Sequence, residues 1–272
     1  MRPTASECGN DVVHEVVHEV VRIQEGKMKT RLIRYCSVSA FLFATPGIAQ
    51  ELPPPASLYV ATQCYLNDGV TFDEAVEEGR ARQIQSGGPN MVFYRQPIAG
   101  NNAEMNQLTR VVSWDDMEHW ASSVTTVEYE TITCNDRNRR FLTNRSIGQN
   151  RNAYSGSSDR SSLVSTRRCT LATGSTIADT YRFLSGIQAR REASGDTSTM
   201  HLSHLFLGPS EGTEMRTGII IRLIGESAVG LARTFDSTME GNVGIGTPIN
   251  APAQHCQDPT LTRSYIIHSN NQ

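Results

Sequence analysis

Apolar residues alternate with the rest at Leu58, Val60, Cys64 and Leu66, the two-residue period of a half-covered strand. Thr71 with Glu74 three residues later is a capping box, predicting a helix through about Arg82. Met91–Arg95 then reads as a second strand ended by Pro97, Leu108–Ser113 as a third, and Asp115–Ser122 as a second helix. A last strand falls at Val127–Thr133 or at Arg139–Thr143. The order then returns. Thr176 with Asp179 is a weaker capping box, followed by the helical stripe Ile177, Tyr181, Leu184 and Ile187. His201–Leu207, ended by Pro209, and Gly218–Ile224 read as strands, Ser227–Phe235 as a helix, and Arg263–Ile267 as the closing strand.

The repetition extends to residues. Cys64-Tyr-Leu66-Asn-Asp-Gly69-Val-Thr71 and Cys169-Thr-Leu171-Ala-Thr-Gly174-Ser-Thr176 share C-x-L-x-x-G-x-T without a gap. Pro97 and Gly100 precede Arg110 at the spacing by which Pro209 and Gly212 precede Arg222, and Cys134-x-Asp136 matches Cys256-x-Asp258. Three ordered matches mark a duplication, with copies at 57–145 and 162–268 and a Ser/Asn/Arg-rich linker at 146–161. Two copies are too few for a solenoid, so a paired architecture is expected.

A strand–helix–strand–strand–helix–strand unit makes an antiparallel sheet with both helices on one face, and its other face needs cover. The expected class is α+β: two tandem ferredoxin-like units whose open faces cover each other. Element order and duplication resemble the dimeric α+β-barrel superfamily, in which two ferredoxin-like units pack sheet to sheet around a central cavity. The resemblance covers most of 57–268 and implies an intramolecular α+β barrel. The C-x-L-x-x-G-x-T box is also similar to one in secreted proteins of marine bacteria.

The first fifty residues stand apart. Met28-Lys29-Thr30-Arg31 with Arg34 is a basic start, Cys36–Ala44 an apolar run too short to remain in a bilayer, and Pro46-Gly47-Ile48-Ala49 a small-residue cleavage site. Residues 28–49 are therefore expected to be a signal peptide cut before Gln50, and residues 1–27 an untranslated or disordered leader. A periplasmic or secreted location in a Gram-negative cell follows, without a stable membrane anchor. Residues 50–272 contain 19 Arg, 23 acids and no Lys, which excludes lysine Schiff bases and phosphate-loop lysines. Residues 137–168 hold eight Arg against one acid, a composition read as a solvated linker.

Cys64, Cys134, Cys169 and Cys256 remain after the leader. Four cysteines allow three connectivities, and the duplication selects Cys64–Cys134 and Cys169–Cys256. A metal or redox site is the alternative, but C-x-x-C does not occur.

Candidate chemistry is sparse. His14-Glu15-Val16-Val17-His18 fits a zinc-protease motif but lies before the signal peptide in a Val-Val-His-Glu repetition, so no metal is expected. Gly241-x-x-Gly244-x-Gly246 precedes Thr-Pro and reads as a loop rather than a dinucleotide site. G-x-S-x-G is absent. His201 and His204 fall on opposite faces of one strand, with His204 beside Leu202 and Phe206. Asp115, Asp116, Glu118 and His119 begin a helix, where acids oppose its dipole.

Arg110 and Arg222, at matching places on otherwise apolar third strands, are the most specific candidates. Ile219, Ile221 and Leu223 suit the helix-covered face, which turns Arg222 to the cavity. A pair of such arginines can clasp a small anion, and Arg110, Arg222 and His204 are the candidate ligand-binding residues; Tyr59, Gln63 and Tyr65 can line the same cavity. Besides a protein that uses its acidic first repeat and the basic stretch 137–168 for envelope contacts, two classes stay open. One is an exported, disulfide-stabilised module binding a small molecule or a partner, monomeric or weakly self-associating, with no cofactor and no nucleic acid. The other, implied by the resemblance, is a cofactor-independent mono-oxygenase or a haem enzyme.

Overall fold

The computed structural model describes residues 53–100, 104–123, 128–208, 217–240 and 251–270, with the side chains of 238–240 not described. They belong to one compact unit of residues 50–272. The leader, Pro209 with Gly212, and the Gly241–Gly246 motif lie outside the described residues.

The first half contains β1 (Ser57–Leu66), α1 (Phe72–Ala81), β2 (Met91–Ala99), β3 (Gln107–Trp114), α2 (Met117–Ser123), β4 (Ile132–Cys134) and β5 (Arg140–Ile147). The second contains β6 (Ser161–Leu171), α3 (Ile177–Ala193), β7 (Thr199–Leu207), β8 (Gly218–Ile224), α4 (Ala228–Glu240), β9 (Ala253–Gln254) and β10 (Thr260–Ser269). The last strand of the first copy is thus the later of the two expected segments. It runs to Ile147, into what composition marks as linker.

Each copy of the C-x-L-x-x-G-x-T box does the same physical work. Its glycines, Gly69 and Gly174, sit at φ +77° and +78° with no neighbour that a side chain would strike, so backbone conformation alone requires them. Thr71 and Thr176 are true N-caps, each in a reciprocal capping box with Glu74 and Asp179. The cysteines form Cys64–Cys134 and Cys169–Cys256. They join strand ends that β4 and β9 already pair to β1 and β6.

All ten strands belong to one antiparallel sheet. The first copy contributes β2-β3-β1-β5 and the second β7-β8-β6-β10, in matching order. β5 pairs β7, while β10 pairs both β2 and β6, so eight strands close into a ring. Closure removes the unpaired edges that open sheets must protect. The fold is an α+β barrel with four helices outside it.

Three clusters form the core. Leu58, Val60, Val92, Val112 and Ile267 face α1 and α2 on the outside of the first copy. Ile147, Met200, Leu202, Ile219 and the side chains of α3 pack outside the second. The third cluster fills the ring and draws on all eight of its strands, with Tyr59, Phe93, Val111, Leu142, Val164, Leu205, Ile224 and Ile266. Tyr154, from the segment between the copies, enters this interior and bonds Ser264 Oγ through its hydroxyl at 2.8 Å. That segment therefore does more than span solvent.

Two expectations are corrected. Pro97 does not end its strand: β2 continues to Ala99, with Pro97 opposite Thr262 at a register shift, where a missing N–H is tolerated. Arg110 and Arg222 are not equivalent. Cys64 pairs Leu108 whereas Cys169 pairs Ile219, so Arg222 corresponds to Val111 and Arg110 to Ile221. Matching the copies through the Pro and Gly positions is off by one residue. In a strand, one residue reverses the face.

Candidate functional site

The slip sends the two arginines to different places. Arg222 faces into the ring, opposite Ile219, Ile221 and Leu223 as expected. Arg110 points outward, under the helices of the first copy. His204 is outward too, on the face of Leu202 and Phe206, so the three candidate ligand-binding residues do not converge. Tyr59 lines the ring interior, and Gln63 donates from Nε2 to the Tyr65 hydroxyl at 2.6 Å.

Arg110 opens onto a cleft of about 750 Å³ between the outer face of β1, β2 and β3 and the helices α1 and α2. Val60, Val92, Val112 and Ile267 make its apolar floor; Trp114, Trp120 and Tyr129 supply aromatic walls, and Thr62, Gln83 and Gln85 add polar groups. Arg82, Arg110, Arg139 and Glu128 add charge, so an apolar floor lies under a largely polar and charged rim.

The cleft has a local cause. α1 ends after ten residues and α2 has only seven, none of them buried. Gly79 lets α1 lie close on the sheet, because a Cβ there would stand 2.9 Å from Ile267 Cγ2. The space is thus left beyond the end of α1 rather than beneath it.

Its charged wall is pre-positioned. Tyr129 packs against two guanidinium groups, Arg82 at 4.4 Å and Arg110 at 5.2 Å from the ring centroid. Arg82 is ion-paired with Glu78. Glu78 also accepts from the N–H groups of Glu130 and Thr131 at 3.1 and 3.0 Å and from the Thr131 hydroxyl. Partial burial pushes the Glu78 carboxyl up, but bonds from Arg82, Thr131 and Glu130 outweigh it and hold its pKa at about 2. Arg110 makes no ion pair, and its Nε is buried without a hydrogen-bond partner. Trp114 Nε1 is in the same condition. Both atoms are shut off from the open cleft, so any contact a ligand makes here falls to the terminal nitrogens of Arg110.

No histidine lines this cleft. His119 stands nearby, held between Asp115 Oδ2 at 3.0 Å and the Gly87 carbonyl at 3.2 Å. Asp116 accepts from the His119 N–H, which confirms the capping role of the acids there. Among the described residues, no group of His, Cys, Asp and Glu is placed to hold a metal.

A second polar centre lies inside the ring. Arg95, which sequence patterning did not single out, and Arg222 both face inward, 6% and 4% exposed. Arg222 Nη1 donates to Ser203 Oγ at 2.6 Å, Ser203 donates to Asn144 Oδ1 at 2.8 Å, and Asn144 Nδ2 contacts His201 Nδ1 at 3.1 Å. An amide nitrogen only donates, so His201 Nδ1 accepts and its proton sits on Nε2. Burial, with the charges of Arg222 and Arg95, lowers the His201 pKa to about 3 and keeps the ring neutral. A pseudo-symmetric search could not have found Arg95, because its counterpart in the second copy is Ser203.

No family model and no curated protein matches this chain. Among solved structures it is similar to a provisionally assigned monooxygenase from Lactobacillus acidophilus NCFM, with 7% identity and a TM-score of 0.41 over 78% of this chain and 95% of that one. A like protein from Fusobacterium nucleatum subsp. nucleatum gives 9%, 0.37, 78% and 94%. An aldoxime dehydratase with butyraldoxime bound gives 9% and 0.19, over 79% and 81%. At these values the likeness bears on neither substrate nor activity. Among the described residues, no helix is long and apolar enough to cross a membrane.

Proposed function

We propose that this protein is an exported binding module, a tandem of two ferredoxin-like units, that holds a small, flat, anionic molecule in the cleft of its first copy. The carrying observation is Arg110: a guanidinium without an ion pair, at an aromatic-walled cleft of about 750 Å³. The apolar floor takes the body of the ligand, Tyr129 stacks on it, and the terminal nitrogens of Arg110 receive the anionic oxygens, with Glu128 on the same wall turning away a second negative charge. Export is supported by the Met28–Ala49 pattern and by the two disulfides, which persist in oxidising compartments. Binding is favoured over haem chemistry because no histidine lines the cleft among the described residues.

Both tryptophans of the chain line this cleft, so emission excited selectively at tryptophan reports on it. Titration with a panel of aromatic carboxylates should quench or shift that emission. Arg110→Met should weaken binding about tenfold or more, the loss of one charge-assisted hydrogen bond of about 1.5–3 kcal/mol. Unchanged emission across the panel, or equal affinity in Arg110→Met, would discard the assignment.

A further inference from the structure

The ring interior poses an electrostatic problem that its own residues do not solve. Arg95 and Arg222 are more than nine-tenths buried and neither is ion-paired. Arg95 Nε is buried without a hydrogen-bond partner, and its guanidinium lies 5.7 Å from the Phe93 ring centroid. Among the described residues, no Asp or Glu occupies an inward position on the eight ring strands. Burying a lone guanidinium is costly, and burying two in one enclosure adds their repulsion. Arg222 falls to about 9, first from burial and then from the charge of Arg95, and so still carries its proton at neutral pH.

Neutral donors surround the pair. Ser264 is opposite Arg95 across the β2–β10 ladder, and Ser162 is opposite Ser264 across β10–β6. Ser162, Ser203 and Ser264 have no exposed surface. Ser162 donates to the Gly225 carbonyl and Ser203 to Asn144, and Ser264 is paired with Tyr154, so the two guanidinium groups, without a carboxylate, carry the chemistry of an anion site. The neighbouring layer is filled by Tyr59, Phe93, Leu142 and Leu205, with Tyr154 stacked on Phe93 at 5.6 Å. Side chains that fill this layer argue against an organic ligand and for the smallest ions.

We propose that the barrel encloses a small inorganic monoanion of halide size between Arg95 and Arg222, bound as an internal counter-ion of the fold. The site is separate from the cleft of the first copy, since neither arginine lines that cleft. It stands whether or not the cleft binds a ligand.

The test is thermal unfolding of the purified chain at constant ionic strength, with bromide replacing gluconate. Bromide should raise Tm saturably, by about 5 °C or more at a hundredfold excess over its Kd, and gluconate should not. The Arg95→Met, Arg222→Met double variant should lose this response. Should that variant fail to fold, anomalous diffraction from crystals of the unaltered protein in bromide decides, with a peak expected inside the ring. Equal Tm in both salts, a response retained by the double variant, or no bromide inside the ring would overturn the proposal.

Discussion

The two copies of the unit share strand order, capping boxes and disulfides, yet they have diverged on opposite faces of the sheet. Outside the ring, the first copy is open and the second is filled. α3 runs 17 residues and buries Leu184 and Gln188, and Tyr181, Phe183 and Ile187 pack against the sheet beneath it. The shorter helices of the first copy leave the cleft. Inside, the copies differ position by position. The first copy places Phe93 and Val111 where the second places His201 and Arg222. The copies thus differ most outside the ring, while inside each contributes one buried arginine, Arg95 and Arg222.

That division can be broken experimentally. The largest effect is expected where the copies are alike. Removing either disulfide, as Cys64→Ser with Cys134→Ser or as Cys169→Ser with Cys256→Ser, opens a loop of 70 or 87 residues. Each should cost about 4 kcal/mol in denaturant unfolding. A much smaller loss in one pair would show that its copy is held by packing instead.

Packing should separate the copies next. Leu184→Ala removes a side chain 5% exposed beneath α3 and should cost about 3 kcal/mol. Met117→Ala on α2, which buries nothing fully, should cost under about 1.5 kcal/mol. Equal losses would contradict an open first copy.

Titration separates them in pH. Unfolded His201 binds a proton below about 6.5, while in the ring it stays neutral down to about 3. Protons therefore favour the unfolded chain across that window, and stability should fall as pH drops, by up to about 1.4 kcal/mol per pH unit. His201→Gln should flatten that slope. Glu78 acts lower. Its stabilisation is complete above the unfolded carboxyl value of 4.5 and lost as pH falls toward about 2, so Glu78→Gln should cost about 2 kcal/mol at pH 7, after screening, and little at pH 2. The smallest effect is expected from the caps: Thr71→Ala and Thr176→Ala should each cost about 1 kcal/mol by thermal unfolding.

The architecture was legible because its signals are local and repeated. A cysteine, a glycine at positive φ and a threonine cap recur at fixed spacing, and each has one physical task. The candidate site was less legible for two reasons. Loop lengths differ between the copies, so aligning them on Pro97 and Pro209 put Arg110 one residue out of register with its true counterpart, and a strand turns that error into the wrong face. The cleft depends on what α1 and α2 fail to cover, and polar patterning along a chain does not record missing cover. Tyr154 illustrates a third case. A buried aromatic at φ +66° inside a Ser/Asn/Gly-rich run gives no periodic signal at all.

β10 joins the earliest and latest parts of the molecule. Among the described residues it is the last strand, and it alone joins β2 to β6. Until Thr260–Ser269 is available the ring cannot shut, and two strands present raw edges to any neighbour. The final ten-residue strand is therefore the latch of the fold.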